Sequence, residues 1–319
     1  MSKTAQQYIR PKDIDNRSTF QQRMVWRLEA LAWDVIYWWP MKALGPDWAS
    51  DFLGWLFKSI GPLFSQNKTV HRNLQLAFPE MPQEERDRIA KQAWESVGRT
   101  AGELPHLPKI DPYAGDRVEV IGTEHLDAIE ASDTGAVIVT GHFANWEVMA
   151  AAICRRPVDC LITYRALNNP YIDRRLNKVR HDYGIGVLAP KGAGTRELMR
   201  ALAGGRSVAL MNDQKFNEGL AVPFFGYDAM TAQGPSRLAL KYGVPIVPIS
   251  TRRTGSARFQ VTVHPPFTPD KIGYPEADLI ACVKRVSAFV EEEVRSNPGQ
   301  WFWQHRRWPK DTWKSAGII

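Results

Sequence analysis

Short apolar stretches alternate with segments of helical periodicity from about residue 105 to residue 296, and this alternation constrains the fold more than any other feature. We predict strands at residues 117–121, 136–140, 161–164, 187–189, 207–211, 245–251 and 259–264. We predict helices at residues 124–131, 145–154, 170–183, 194–203, 233–242 and 276–296. Strands that alternate with helices favour an α/β fold, with a mostly parallel mixed sheet flanked by helices. Ligands of such folds bind beyond the carboxyl ends of the strands.

The first hundred residues have a different, wholly helical pattern. We predict helices at 70–78 and 83–104, and two apolar, aromatic helices within 20–61 that are divided near Pro40 and Gly45. Residues 1–16 are polar and are expected to be disordered, without the apolar stretch of a signal peptide. The sequence therefore predicts an N-terminal helical segment at 1–61 and a larger domain at 62–319.

Tryptophan is concentrated near the two ends of the chain. Six of the twelve tryptophans fall between residues 26 and 55, and four fall between 301 and 313. Tryptophan favours the membrane–water interface, so residues 26–55 are predicted to associate with a membrane. The alternative is that both tryptophan-rich segments pack on the core, and for 301–313 this alternative is at least as good.

The charges of the N-terminal segment argue against a membrane span. No stretch of 18 residues lacks charge, and the nearest candidate, 24–39, carries Arg27, Glu29 and Asp34. We therefore expect an interfacial helix. The net charge of +7 favours an anionic partner, which can be a membrane surface, a phosphorylated lipid, an acidic carrier protein or nucleic acid. No recognition motif supports nucleic acid, so we expect none to bind. The three cysteines have neither metal-site nor disulfide spacing.

The run GHFANWE at residues 141–147 is the strongest candidate for chemistry. His142 follows a predicted buried strand, and Glu147 falls in the first turn of the next helix, where the helix dipole keeps a carboxylate ionised. Glu147 can hold one imidazole nitrogen of His142 as the N–H and leave the other free to accept a proton. The alternative is a helix-capping histidine with a surface glutamate. Because no serine or cysteine nucleophile motif is present, His142 is expected to activate a substrate hydroxyl.

Other polar residues also follow predicted strands. Arg165, Asp213 and Gln214 do so, and each can face the same cleft as His142, although a surface arginine and an ordinary turn are the alternatives. Asn145 is either a substrate contact or the cap of the helix after His142. The predicted helix 170–183 carries four basic residues, which form either a solvated face or a docking site for an acidic carrier or an anionic lipid: Arg174, Arg175, Lys178 and Arg180.

The run at 141–147 resembles the His-x4-Glu motif of the bacterial lipid A biosynthesis acyltransferases, a branch of the lysophospholipid acyltransferase superfamily. Further segments agree with that family in the same order: NLQLAFPE at 73–80, YRALNNP at 164–170, NDQ at 212–214, GLAVPFFG at 219–226, TAQG at 231–234, VPIVP at 244–248 and WFWQHRRW at 301–308. The arginine-bearing Gly-Thr-Arg motif of the wider superfamily has no clear counterpart near Asp213. The choice of cation for an acceptor phosphate therefore stays open.

The resemblance implies an acyltransferase domain at 62–319 that takes an acyl chain from an acyl-carrier-protein thioester. It implies a lipid A precursor as acceptor, a position on the cytoplasmic face of the inner membrane, and neither metal nor cofactor. His142 and Glu147 are the implied catalytic residues, and the implied substrate-binding residues are Asn145, Arg165, Asp213, Gln214 and Thr231. The segment 219–226, with Phe224 and Phe225, is either the wall of an acyl tunnel or part of the core.

Two other functions remain open at this point. An acyltransferase of the same superfamily that acts on another lysophospholipid or glycolipid has the same His142–Glu147 motif. A non-catalytic, membrane-surface lipid-binding protein has no need of a general base. The sequence does not specify the acyl chain length or the acceptor position.

Overall fold

A computed structural model of the chain describes residues 19–132, 134–164, 166–186, 188–190 and 194–319. The predictions for residues 1–16, for Arg165 and for the start of the strand at 187 lie outside these residues. Nine strands are present in the described part: β1 (Val118–Ile121), β2 (Val137–Thr140), β3 (Cys160–Tyr164), β4 (Leu188–Pro190), β5 (Ser207–Met211), β6 (Lys215–Phe224), β7 (Tyr227–Thr231), β8 (Ile246–Gly255) and β9 (Arg258–Val263).

Seven of these strands form one sheet in the order β1-β9-β8-β2-β5-β3-β4. All neighbours pair in parallel except β8 and β9, which are antiparallel. The predicted mostly parallel mixed sheet is therefore confirmed. Strand β2 lies between β8 and β5 and is buried over its whole length, as expected for a short apolar strand in the middle of such a sheet.

The helices cover the sheet and form the N-terminal part of the chain. Their bounds are α1 (Phe20–Ala32), α2 (Trp39–Leu44), α3 (Pro46–Ile60), α4 (Asn67–Ala77), α5 (Gln83–Glu103), α6 (Thr123–Glu130), α7 (Trp146–Cys154), α8 (Pro170–Asp182), α9 (Gly194–Ala203), α10 (Gly234–Tyr242), α11 (Pro275–Ser296) and α12 (Lys310–Ser315). Short 3₁₀ helices lie at Gly61–Leu63, Leu104–Lys109 and Pro298–Gln300. The predicted helices after residue 62 agree with these bounds to within three residues.

The hairpin of β6 and β7 was not predicted as strands. Gly219 and Pro223 interrupt β6, and its first residues are mostly exposed, so the segment lacks the apolar alternation of a core strand. Phe224 and Phe225 at its end are buried in the same cluster as the C-terminal tryptophans. Four tryptophans of that cluster are buried, which confirms core packing for 301–313: Trp301, Trp303, Trp308 and Trp313.

The N-terminal segment is nearly continuous helix up to residue 44, because a π-helical stretch, Trp33–Trp38, joins α1 to α2. The predicted division at Pro40 is wrong, because the chain stays helical through Pro40, which directly follows the wider turns of the π-helical stretch. The break is at Gly45, whose φ of 80° favours glycine. Helix α3 crosses α5 so closely that a Cβ at Gly98 would collide with the Leu53 carbonyl. The division into 1–61 and 62–319 stays a prediction.

The polar face of α1 packs against α8. Asn169 Nδ2 donates to Glu29 Oε2 (2.8 Å) and Arg27 Nε donates to the Tyr171 hydroxyl (3.1 Å), while Arg175 pairs with Asp34. The opposite face of this segment exposes a row of large apolar side chains: Val25, Leu28, Leu31, Val35, Ile36 and Trp39. Helix α3 adds Trp48, Phe52 and Trp55. Within the described residues, no helix combines the length and the hydrophobicity that a membrane span requires.

Candidate active site

His142 and Asp213 are brought together by the register of two neighbouring parallel strands. Strands β2 and β5 pair so that Thr140 lies opposite Met211. His142 and Asp213 each follow these residues by two positions, so both emerge from the carboxyl edge of the sheet at the same level. His142 Nδ1 lies 2.8 Å from Asp213 Oδ1, and the His142 backbone N–H donates to Asp213 Oδ2 (2.7 Å).

Asp213 is held as an ionised carboxylate. Burial raises its pKa, but the charge and the hydrogen bonds of His142, with the indole N–H of Trp301, outweigh burial and lower the pKa to about 2. Trp301 Nε1 donates to Oδ2 at 2.8 Å. An ionised carboxylate only accepts hydrogen bonds, so His142 Nδ1 carries a proton and donates it to Asp213. In the neutral imidazole, Nε2 is then the free base.

The Nε2 edge of the His142 ring has both polar and aromatic neighbours. Gln214 Nε2 lies 3.5 Å from His142 Nε2. The Trp146 ring lies 5.2 Å from the imidazole, centroid to centroid, and the Phe302 ring lies 6.0 Å away. The His142 side chain is 19% exposed, so the ring is accessible from one side. This arrangement suits a substrate that combines an apolar chain with a hydroxyl.

Glu147 does not hold His142, and the expectation that it does is wrong. Glu147 is buried and pairs with Arg180 of α8, whose Nε donates to both carboxylate oxygens at 2.9 and 3.1 Å. A largely buried guanidinium needs a counter-charge, and Glu147 supplies it. Arg180 was predicted to lie on a solvated face or in a docking site, but its side chain is only 14% exposed and is held by this ion pair. The carboxylate on His142 is Asp213, which the sequence suggested only as a substrate-binding residue.

Asn145 was predicted to be either a substrate contact or a helix cap. The structure shows that it caps α7 and is buried inside the protein. Its Oδ1 accepts from the Glu147 backbone N–H (3.1 Å). Its Nδ2 donates to Oε2 of the buried Glu103 (2.8 Å). Both ends of the amide are thereby used by the protein, and the residue is fully buried.

The turn between β2 and α7 has a strained backbone that several contacts hold. Ala144 has φ 42°, in the left-handed region that costs a residue with a Cβ about 1–2 kcal/mol. Its N–H donates to the Gln300 carbonyl (2.8 Å), and its carbonyl accepts from Thr100 Oγ1 (2.8 Å). Phe143 forms a bridge to Trp301. These contacts, from α5 and the C-terminal segment, fix the turn that carries His142.

Thr231 is a core residue and is not exposed to a substrate. It is fully buried, and its Oγ1 accepts from Arg307 Nη2 (2.6 Å). Arg307 is itself buried, and burial lowers the pKa of its guanidinium to about 10. Of the substrate-binding residues predicted, Asp213 and Gln214 lie at His142, Asn145 and Thr231 are structural, and Arg165 lies outside the described residues.

Two contributors to the site were missed at the sequence level. Trp301 was placed either at the membrane interface or in the core, yet its N–H holds Asp213. Glu103 was predicted only as part of the helix at 83–104, yet it is fully buried beside Asn145. Its position at the end of a helix, next to an apolar turn, was the available signal. Within the described part of the chain, no group of three or more histidine, cysteine, aspartate or glutamate residues is arranged to hold a metal ion.

Comparison with known proteins identifies the family. The profile of the bacterial lipid A biosynthesis acyltransferase family matches residues 17–310. The lipid A biosynthesis lauroyltransferase of Escherichia coli is 30% identical over 247 residues, which cover 75% of this chain and 78% of that protein. The phosphatidylinositol mannoside acyltransferase of Mycolicibacterium smegmatis is 23% identical over 76% of this chain and 79% of its own length. The lipid A biosynthesis palmitoleoyltransferase of Escherichia coli is 23% identical over 77% and 80%. The chain therefore belongs to the bacterial lipid A biosynthesis acyltransferase family, and it is an acyltransferase with a lipid acceptor.

Proposed function

We propose that this protein transfers a fatty acyl chain from an acyl-carrier-protein thioester to a hydroxyl of a lipid A precursor. The observation that carries the proposal is His142, whose Nδ1 is held by the ionised Asp213 and whose unprotonated Nε2 lies at an accessible edge, 3.5 Å from the Gln214 amide nitrogen. The family and the 30% identical lauroyltransferase support the acceptor and the reaction class. No metal or organic cofactor takes part in the proposed reaction.

In the proposed reaction His142 Nε2 removes the proton of the acceptor hydroxyl as its oxygen attacks the thioester carbonyl. The tetrahedral intermediate then collapses, the C–S bond breaks, and Nε2–H returns the proton to the leaving thiolate. The new ester and the free thiol balance the starting alcohol and thioester. A positioned base of this kind contributes about 10²–10⁴ in rate. Asp213 stabilises the imidazolium that exists between the two proton transfers.

The oxyanion of the intermediate needs a hydrogen-bond donor near His142. The Gln214 amide is the described side chain best placed, because its nitrogen lies 3.5 Å from His142 Nε2. Arg165, which follows β3 in the chain, remains a predicted contact to the acceptor or the oxyanion. Glu147 contributes indirectly in this scheme, since its bond to Arg180 ties the catalytic helix α7 to α8.

The catalytic part of the proposal is tested by His142→Ala in the purified protein, assayed with acyl-carrier-protein thioester and a lipid A precursor. We expect turnover to fall at least 100-fold with the melting temperature preserved. His125→Ala is the matched control, because His125 is half-buried at the start of α6, away from the site. Turnover of His142→Ala within threefold of wild type would remove the general base and favour a non-catalytic lipid-binding protein.

The identity of the acceptor needs its own test. The phosphatidylinositol mannoside acyltransferases among the relatives make a glycolipid acceptor the main alternative. Lipid A from cells with and without the gene should differ by one acyl chain in mass spectrometry, and the mass lost identifies that chain. An unchanged lipid A, together with turnover on a phosphatidylinositol mannoside in the purified system, would establish the alternative.

We further infer that the exposed apolar face of α1 to α3 lies in the surface of an anionic bilayer, on the cytoplasmic side of the inner membrane. The side chains of Arg27 and Glu29 bond to residues at the start of α8. The charges of these two residues therefore lie off the exposed face, which presents large apolar side chains. An amphipathic helix of this kind binds at the interface, and the net positive charge adds attraction to anionic headgroups.

Liposome co-sedimentation tests the membrane proposal. The triple change Leu28→Ser, Ile36→Ser and Trp48→Ser should weaken binding to liposomes at least tenfold. It removes three large apolar side chains whose burial in the bilayer would favour binding. Ile272→Ser is the control, since Ile272 is equally exposed but lies outside the N-terminal segment. High salt should release only part of the wild-type protein, as apolar burial is not screened. Full release by salt would show purely electrostatic attachment.

A further inference from the structure

We propose that Glu103, the last residue of α5, is a positioning residue that holds the catalytic turn through the side chain of Asn145. The inference rests on the base role of His142 proposed above. It concerns a residue that touches neither His142 nor Asp213, and it assigns a function to a buried carboxylate that the reaction scheme does not use.

Every oxygen of Glu103 is occupied inside the protein. Oε1 accepts from Ser50 Oγ (2.7 Å), and Oε2 accepts from Asn145 Nδ2 (2.8 Å). Arg253 of β8 forms an ion pair with the same carboxylate, with Nη2 donating to Oε2 at 3.1 Å. Glu103 is fully buried and the Arg253 side chain is 8% exposed. A buried charge is costly even when paired, so stability alone gives a weak reason to find one here.

Through Asn145, Glu103 acts on the turn that carries His142. The turn 142–145 is held at each residue: His142 by Asp213, Phe143 by Trp301, Ala144 by Gln300 and Thr100, and Asn145 by Glu103. Ala144 has a left-handed backbone that persists only where its surroundings enforce it. Without the bond to Glu103, the turn can relax toward the ordinary helical region and carry His142 away from its substrate.

Asn145 performs two separable tasks with one amide. Its Oδ1 caps α7, while its Nδ2 makes the link to Glu103. Serine also caps helices well, but it is too short to reach Glu103, so Asn145→Ser keeps the cap and removes the link. The variant Asn145→Asp also keeps the cap of α7, but it places a second carboxylate against that of Glu103. Adding Glu103→Gln to that variant restores one hydrogen bond, with donor and acceptor exchanged and the total charge unchanged.

The same carboxylate joins the N-terminal aromatic segment to the catalytic turn. Ser50 lies on the buried face of α3, and Trp48, Phe52 and Trp55 lie on its exposed face. A displacement of α3 therefore reaches Asn145 through a chain of two hydrogen bonds. Ser50→Ala removes the first of these bonds and is expected to give a smaller loss in the same direction.

The experiment measures kcat and KM of five purified variants, Ser50→Ala among them, beside wild type. Asn145→Ser and Asn145→Asp should each lower kcat about 30- to 100-fold, the cost of a displacement of about 1 Å, with KM within threefold. The double variant Asn145→Asp with Glu103→Gln should recover at least tenfold over Asn145→Asp alone. Ser287→Ala is the control, because it removes a buried serine hydrogen bond, to Pro223, outside the network. It should lower the melting temperature and leave kcat unchanged.

A second readout does not depend on activity. The Nδ1 proton between His142 and Asp213 should give a downfield NMR signal that is absent in His142→Ala. We expect Asn145→Ser to shift or broaden this signal and the double variant to restore it. Wild-type kcat and an unshifted signal in folded Asn145→Ser would overturn the proposal, as would a folded double variant without recovery. Activity that survives His142→Ala would instead refute the base role, and the NMR signal would still test the positioning.

Discussion

Asp213→Asn is the most informative single change, because the structure dictates how the new amide must sit. Two N–H donors, the His142 backbone and the Trp301 indole, converge on Oδ2. An asparagine will place its only oxygen there, so its NH₂ group faces His142 Nδ1. That nitrogen must then act as acceptor, which moves the imidazole proton to Nε2 and removes the free base.

The size of the effect follows from the geometry. The carboxylate of Asp213 lies against the imidazole, and Asp213 is buried while His142 is 19% exposed. At about 4 Å and an effective dielectric constant of about 20, the charge stabilises the imidazolium by about 4 kcal/mol. The loss corresponds to about 10³ in rate. The wrong tautomer adds to this loss, so we expect kcat to fall at least 1,000-fold while KM changes little.

Turnover should be measured with acyl-carrier-protein thioester and a lipid acceptor, and ¹⁵N NMR of the imidazole should be recorded on the same sample. The nitrogen shifts report which ring nitrogen carries the proton. Trp301→Phe is a useful companion, because it removes one of the two donors that orient the amide and keeps most of the packing. A folded Asp213→Asn variant with kcat within tenfold of wild type would refute the assignment of Asp213 as the partner of the base.

Four further outcomes are expected. The folded-state pKa of Asp213, about 2, lies below its ordinary 3.8, so its contribution of about 2 kcal/mol is present above pH 4. It is lost as the pH falls from about 4 to 2, and the gap in urea-unfolding free energy between wild type and Asp213→Asn should close over that range. Glu147→Gln leaves the largely buried Arg180 without its counter-charge and should cost about 3 kcal/mol in unfolding free energy. Its kcat per folded molecule should fall less than that of Asp213→Asn, and the reverse ranking would make Glu147 the base partner. Gly98→Ala forces α3 away from α5 and should cost about 1–3 kcal/mol by thermal unfolding, whereas Gly234→Ala has open space for its Cβ and should be near neutral. Thioester hydrolysis without acceptor should be slow, because the base needs a bound hydroxyl in attack geometry, and fast hydrolysis in a thiol-release assay would indicate a thioesterase.

The sheet and the position of His142 were predictable because they depend on local patterns. Apolar runs such as 136–140 and 207–211 predict buried strands, and a polar residue after such a strand lies at the ligand-binding edge. The partner of His142 was not predictable in the same way, because strand order is a property of the whole sheet. Once β2 is known to pair with β5, the register of Thr140 opposite Met211 puts Asp213 beside His142. Without that order, the carboxylate nearest in sequence, Glu147, was the natural but wrong choice.

Arg180 explains why the nearer carboxylate is not the one that serves the imidazole. Its guanidinium is largely enclosed where α8 meets α7, with the side chain only 14% exposed, and an unpaired guanidinium there would be costly. Glu147 therefore directs its oxygens to Arg180, and both of them accept hydrogen bonds from it. Asp213 is held instead by a backbone N–H and an indole N–H, donors that do not titrate near neutral pH. A carboxylate fixed by such donors stays in place when the imidazole changes charge, which is what a base that alternates between neutral and protonated forms requires.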